Sequence, residues 1–295
     1  YTVPLSYFNL FHIVGRFILA DSSLSSQLTK NRMKKQFVAL TFGIALLVGC
    51  GDYFGSSRSD LAEMVDAPEP PAMENKPDFS GFTDVKEKKT AFFNYLRPAV
   101  DYLNDLVLKA RLKMERVNAD ANAGKLLDKE QLAFLGQASE LLNLPIPENG
   151  PTPEWFAEIR KRMDVVPAEL VLSQAANESA WGTSRFAVEG NNYFGQWCYK
   201  KGCGLVPKNR DAGKYHEVAV FDSGYDSVRA YFLNINRNPA YKSLRDIRET
   251  LRQQDKTITG TALAQGLVGY SERGQAYVEE IRSMISHNKQ YWSQG

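Results

Sequence analysis

Metal-ligating side chains are scarce in this chain. Its 295 residues include only three cysteines, Cys50, Cys198 and Cys203, and three histidines, His12, His216 and His287, too few and too scattered for a Cys/His zinc centre. An excess of either charge is missing as well. Thirty-six Lys and Arg face 34 Asp and Glu, for a net charge of +2 and a pI near 8.3, which supplies neither the basic face that nucleic acid requires nor an acidic disordered tail. No glycine-rich phosphate loop and no Ser/His/Asp constellation stands out, so neither a nucleotide cofactor nor a metal is expected. With 43% hydrophobic and 24% charged residues, the chain can bury a core of ordinary size, and one domain of about 150 to 200 residues with extra segments is expected.

Long apolar runs are absent apart from Phe37 to Gly49, which is interrupted only by Thr41 and preceded by Lys34 and Lys35. The run is too short to span a bilayer, which takes about 20 apolar residues, and residues 33–49 have the form of a signal peptide. Its end, Leu47-Val48-Gly49-Cys50, resembles the lipobox of bacterial lipoproteins, where small residues admit the peptidase and the cysteine thiol takes the lipid. That resemblance implies lipidation at Cys50 and a periplasmic protein anchored to a membrane. Gly51, where Asp would favour the inner membrane, points to the outer membrane of a Gram-negative bacterium. Residues 1–32 read as an upstream extension absent from the mature protein. Cleavage before Cys50 removes five cations and one anion and leaves 246 residues of net charge −2, so the slight basicity belongs to the discarded part.

After Cys50 the chain to about Gly81 is rich in Ser, Asp, Glu and Pro, with Pro68-Glu69-Pro70-Pro71, and residues 50–81 read as a flexible, disordered tether. From Lys86 to Val117, Phe92, Phe93, Leu96, Val100, Leu103, Val107, Ala110 and Met114 recur at helical spacing, and Pro98 is expected to kink or divide that helix. A second amphipathic helix is expected over about Asp128 to Leu142, completing a helical region at 82–150. The remaining segment, 151–295, should hold a helix from about Pro167 to Glu178, a small hairpin with a strand within Tyr215–Phe221, a helix capped by Ser223 and Asp226, and helices near 243–253, 259–267 and 274–291. The fold class expected is mainly α, with one small β element.

Glu178 stands at the end of its helix among Ala175, Ala176, Ala180 and Trp181. A carboxyl group in such surroundings is partly desolvated, so its pKa rises and it can hold a proton near neutral pH for delivery as a general acid. The alternative is a carboxylate that only bonds a helix end or pairs with Arg185. The run Asn177-Glu178-Ser179-x-Trp181-Gly182-x-Ser184, followed by Asn191-Asn192-x-Phe194-Gly195, resembles the glucosaminidase family over roughly residues 85–291. The resemblance implies a lysozyme-like helical fold with Glu178 as catalytic acid. It also implies peptidoglycan glycan strands as substrate, cut at the β-1,4 bond on the reducing side of N-acetylglucosamine; a lytic transglycosylase and a non-catalytic cell-wall-binding lipoprotein are the other readings.

Family members that use a second acid place it after the Phe-Gly pair, which here offers Asp211, Glu217 and Asp222. Glu217, on the expected strand, is the choice among them, with the substrate's own acetamido group as the other possible nucleophile. Gly269-Tyr270-Ser271, followed by Tyr277, resembles a family segment whose tyrosine lines the active site, so the resemblance implies Tyr270 there as a catalytic residue whose hydroxyl orients the acetamido group or stabilises charge, a half-buried core tyrosine being the alternative; Ser271 and Glu272 depart from the usual Ala-Thr. Asn192, Phe194, Gln196 and Trp197 are expected as walls of the glycan groove, offering amides and aromatic faces to sugars, while Trp181 is expected in the core. Cys198 and Cys203 enclose Tyr199-Lys200-Lys201-Gly202 and should pair in an oxidising compartment. Two free thiols, or half a metal site with His216, are the other readings. Nothing in the sequence names a regulatory protein partner.

Overall fold

The computed structural model describes residues 60–73, 75–208, 210, 213 and 215–292. The signal segment, Cys50 and Asp211 lie outside them. Ten α-helices and three short strands occur among the described residues, as the expectation of a mainly helical, lysozyme-like fold requires.

Helix α1 spans Asp60–Met64 and α2 spans Val85–Asn122. The Asp84 carboxylate caps α2 by accepting from the Glu87 amide at 2.8 Å. Its apolar stripe, spaced by three and four from Phe92 to Val117, is buried, while Leu108 and Leu112 on another face are exposed. Pro98 lies inside α2 and does not divide it. An interior proline costs about 3 kcal/mol, but Leu96, Ala99 and Val100 beside it are fully buried, and one buried leucine alone returns about 1.5–3 kcal/mol.

Helix α3, Lys129–Leu141, starts on a reciprocal capping box between Asp128 and Gln131. Then follow α4 (Pro153–Arg162), α5 (Ala168–Glu178) and α6 (Arg185–Gly190). Strands β1 (Trp197–Cys198), β2 (Gly204–Leu205) and β3 (Glu217–Ala219) make an antiparallel sheet in the order β1-β3-β2. A lobe of three strands therefore replaces the expected hairpin, with Trp197 opposite Val218 and Leu205 opposite the same residue on the other side. Helices α7 (Gly224–Arg237), α8 (Lys242–Gln253), α9 (Gly260–Leu263) and α10 (Gln275–His287) complete the domain. Ser223 caps α7 as expected, its hydroxyl accepting from the Asp226 amide and donating to the Asp226 carboxylate.

Helix α5 runs through the core and packs against α2, α9 and α10. Every residue from Leu170 to Ala176 is buried, including the polar Ser173 and Gln174. Beneath α4 and α8, Asp164 is enclosed by Arg111, Arg248 and Arg252.

The expected tether is corrected from Asp60 onward. Leu61, Ala62, Met64, Ala67 and Phe79 are all buried in the core. Lys76 donates to the carbonyls of Ala187 and Val188 and to Asn191, at the C-terminal end of α6, where a cation meets the negative end of the helix dipole. The composition of this segment is that of a linker, yet a few apolar side chains without any period dock one by one, those of α1 against α2 and α3 and Phe79 against α2 and the turn at Gly182.

Candidate active site

The chain after Glu178 turns back sharply, and that turn ends α5 with the carboxyl group at the edge of a cleft. Ala180, Trp181 and Gly182 all take positive φ, at 51°, 60° and 78°. This left-handed conformation costs a non-glycine residue on the order of 1–2 kcal/mol, and packing offsets it here. The Trp181 ring meets Phe92 and Phe93 edge-on at 5.7 and 5.3 Å, and the Lys89 ammonium lies 4.9 Å from its centroid, so Trp181, half-buried, packs against the core and not in the cleft. Gly182 is required twice over, because a Cβ there would also stand 2.3 Å from the Phe79 ring. The Ser179 hydroxyl closes the turn, donating to the Ala175 carbonyl and accepting from the Gly182 amide.

The cleft has a volume of about 770 Å³ and lies between the end of α5, the sheet lobe and the end of α7. Glu178, Phe194, Gln196, Trp197, Tyr241 and Tyr270 are among its walls, and Glu178 is the one carboxylate among its described lining residues. Burial pushes the Glu178 pKa up; hydrogen bonds from Tyr277 and Asn177 act against this, Glu280 adds to it, and the net shift is upward.

Behind the carboxyl group runs a buried chain of polar groups. The Tyr277 hydroxyl donates to Glu178 Oε1 at 2.8 Å, the Gln174 amide donates to the Tyr277 oxygen at 3.0 Å, and the Tyr231 hydroxyl donates to Gln174 Oε1. Gln174 lies one helical turn before Glu178 on α5, so the two side chains share a face. Glu280, one turn after Tyr277 on α10, is paired with Arg273 and lies at the edge of hydrogen-bond range of the Asn177 amide.

Three expectations are revised. Tyr270 lines the cleft and stacks on Tyr277 with centroids 5.3 Å apart, but its hydroxyl donates to the Phe194 carbonyl. Tyr277 is the tyrosine that touches Glu178. Asn192 is 1% exposed and is no groove wall. Its amide donates to the carbonyls of Gln196 and Ala219 and accepts from the Phe194 and Gln196 amides, and so folds the turn that presents Phe194, Gln196 and Trp197. Glu217 does not line the cleft. Its two carboxylate oxygens accept from the Gly202 and Gly204 amides at 3.0 and 2.9 Å, which holds its pKa below the usual glutamate value. A carboxylate so engaged braces the loop and is out of reach as a second acid.

The loop is closed by a Cys198–Cys203 disulfide, so the Cys198, Cys203 and Glu217 cluster is not a set of metal ligands. Disulfide and carboxylate together hold β1, whose Trp197 is 56% exposed and stacks on His216 with centroids 4.1 Å apart. Phe194 is held the same way from behind, stacked on Tyr231 at 4.2 Å. Replacing Glu217 by Ala should raise amide hydrogen exchange at Gly202 and Gly204 while leaving the exchange of α5 unchanged, since the loop alone loses its acceptors.

Gln174, Tyr231 and Glu280 are site residues that sequence reasoning does not reach, and Tyr277 enters it only as the tyrosine that follows Gly269-Tyr270-Ser271. The signal for Gln174 is a lone amide inside an apolar helix four residues before the acid. The tyrosines carry no such mark.

Residues 153–290 match the family model described as mannosyl-glycoprotein endo-beta-N-acetylglucosaminidase, named Glucosaminidase. Protein bax of Escherichia coli (strain K12) is 39% identical over 144 residues, which cover 46% of this chain and 51% of that protein; the chain spans about half the length of this relative. No solved structure matches. The segment 153–290, which contains Glu178 and its cleft, belongs to the glucosaminidase family, with Bax among its relatives.

Proposed function

We propose that this protein is a peptidoglycan hydrolase that cleaves the β-1,4 bond on the reducing side of N-acetylglucosamine, with Glu178 as the general acid. The observation that carries this reading is a carboxyl group with a raised pKa at the edge of a cleft walled by amide and aromatic groups. Glycoside cleavage needs a proton on the leaving oxygen and stabilisation of the developing oxocarbenium charge. A desolvated carboxyl group holds that proton to higher pH than a free glutamate does, and the exposed Trp197 face and the Gln196 amide suit the two sides of a sugar ring.

Because Glu178 is the one carboxylate among the described lining residues, the paired-carboxylate geometries of retaining and inverting glycosidases have no second member here. The acetamido oxygen of the sugar then closes on the anomeric carbon as the glycosidic bond breaks, and water opens the ring so formed while ionised Glu178 takes a proton from it. The same lone carboxylate favours one other reading, a lytic transglycosylase, in which the muramyl 6-hydroxyl replaces water. Digestion of purified sacculi tests the proposal. Soluble fragments ending in reducing N-acetylglucosamine support it, fragments ending in anhydromuramic acid select the other reading, and intact sacculi contradict both.

Tyr277→Phe removes the hydrogen bond that favours ionised Glu178, so the pKa of the acid should rise further. An acid with a higher pKa keeps its proton to higher pH, and the basic limb of the rate profile should move upward in this variant. An unmoved limb would show that Tyr277 does not tune the acid.

We also propose lipidation at Cys50 and a periplasmic site at the outer membrane. No described helix is long and apolar enough to cross a membrane. Since the folded domain includes Asp60, the link from Cys50 to it reaches at most about 35 Å when fully extended, much less than the longer tether read from composition. Metabolic labelling with a palmitate analogue, lost in Cys50→Ala, is the expected result.

A further inference from the structure

We propose that Tyr231 and Gln174 are positioning residues that hold the acidic proton of Glu178 on Oε2, the carboxyl oxygen Tyr277 does not engage; this rests on the reading of Glu178 as proton donor. Tyr231, Gln174 and Tyr277 are 1%, 0% and 2% exposed, so each tyrosine hydroxyl hydrogen needs an acceptor within the protein. The Tyr231 hydroxyl has Gln174 Oε1 as its acceptor. That bond orients the amide, because the carboxamide oxygen faces Tyr231 and the NH₂ group must face Tyr277. Tyr277, already accepting from Gln174, has one hydrogen to give and gives it to Glu178 Oε1.

A proton on Oε1 would meet the Tyr277 hydrogen head-on. Relief requires the whole chain to reverse, with Tyr277 donating to Gln174 Oε1 and Gln174 donating to the Tyr231 oxygen. The Tyr231 hydrogen then has no acceptor at a fully buried position. Whichever way the amide is turned, a proton on Oε1 strands one buried hydroxyl hydrogen, which biases the carboxyl group toward Oε2 by roughly tenfold to a hundredfold. The bias originates at Tyr231, two residues removed from the acid, and reaches it only through hydrogen-bond direction. Other groups bear on Glu178, namely Glu280 and Arg273 from α10 and the Tyr241 and Tyr270 hydroxyls, but none of them has a hydrogen bond to Tyr231, Gln174 or Tyr277, so none sets the direction.

The consequence is in turnover and not in substrate binding, because none of the three groups needs to touch the sugar. Tyr231→Phe keeps the ring that stacks on Phe194 and frees the amide to turn. Tyr277 then donates to Gln174 for part of the time, and the carboxylate loses part of its hydrogen bond. The test is a cycle of Tyr231→Phe, Tyr277→Phe and the double variant, measured on soluble peptidoglycan fragments, with melting temperature recorded for each. Tyr231→Phe should lower kcat by roughly threefold to tenfold with KM unchanged, and should add nothing in the Tyr277→Phe background. Gln174→Met, which breaks the same chain, should show the same lack of additivity. Effects that multiply in the double variant would overturn the proposal.

Titration of the Glu178 carboxyl ¹³C signal decides the matter without activity. A higher Glu178 pKa in Tyr231→Phe supports the directional chain, and an unchanged pKa overturns it. Should the wild-type protein cleave no glycan, the reading of Glu178 as proton donor fails separately, and the carboxyl titration still judges the hydrogen-bond chain.

Discussion

Glu178→Gln should lower glycan cleavage by roughly 10²- to 10⁴-fold, the usual contribution of a general acid, while the protein becomes no less stable. The substitution keeps the shape of the side chain and an oxygen to accept from Tyr277, so the chain behind it survives. What is lost is the transferable proton. The expected stability follows from the upward shift of the Glu178 pKa. A carboxyl group whose folded pKa exceeds its unfolded value favours the fold while protonated, and that contribution is lost as pH rises from the unfolded pKa through the folded one. Above its folded pKa the ionised group is a burden on the fold, and glutamine relieves it. Activity falling by orders of magnitude with an equal or higher melting temperature separates a catalytic group from a structural one; a variant that keeps wild-type turnover would end the role assigned to Glu178. Glu280→Gln, outside the cleft walls, should cost far less.

The largest loss of stability is expected at Asp164. Its side chain is 1% exposed and meets Arg252 through both carboxylate oxygens, Arg111 at 3.5 Å and Arg248 at 3.8 Å. Arg248 is itself fully buried, donating to the carbonyls of Lys161, Asp164 and Val165 and to the Asn236 side chain. Asp164→Ala leaves buried Arg248 and its neighbour Arg252 without their anion, and breaking a buried pair in this way costs about 3–5 kcal/mol. For a domain of this size that is a fall in Tm of roughly 10 °C. Asp246→Ala, at the exposed pair with Lys242, should cost at most about 1 kcal/mol.

The pH dependence carries the opposite sign to that of Glu178. Burial pushes the Asp164 pKa up, the Arg252 hydrogen bond and the charges of Arg248, Arg111 and Arg252 outweigh it, and the net shift is downward. Stability from this cluster is therefore present above the unfolded aspartate pKa and lost as pH falls through the folded one. A wild-type protein that loses no more stability in acid than Asp164→Ala would contradict this assignment.

Periodicity made most helices legible. The stripe from Phe92 to Met114, the Ser223 cap and the buried face of α5 each follow from spacing and side-chain chemistry, because a helix repeats its environment every turn. The same logic fails where residues act singly. Leu61, Met64 and Phe79 sit in a stretch whose composition is that of a linker, and their burial depends on sites that exist only once α2, α3 and the turn at Gly182 have packed. Glu178 was legible because its position at a helix end beside apolar residues and the Asn177-Glu178-Ser179 run are local features of the sequence.

Glu217 and Asn192 were not legible in this way. Each has the chemistry of a groove residue, and each is consumed by backbone amides of the local turn, Glu217 by Gly202 and Gly204 and Asn192 by Phe194 and Gln196. Choosing between Tyr270 and Tyr277 required knowing how α10 lies against α5, since the two rings stack and only one hydroxyl reaches the acid. Long-range packing decides such matters, and no local pattern encodes it.

Hydrolysis at N-acetylglucosamine with Glu178 as acid is tested by digesting sacculi in H₂¹⁸O and weighing the new glycan ends. Reducing N-acetylglucosamine ends that carry one ¹⁸O atom are expected from the wild type and none from Glu178→Gln. Anhydromuramyl ends without ¹⁸O, or labelled ends produced equally well by Glu178→Gln, would contradict it.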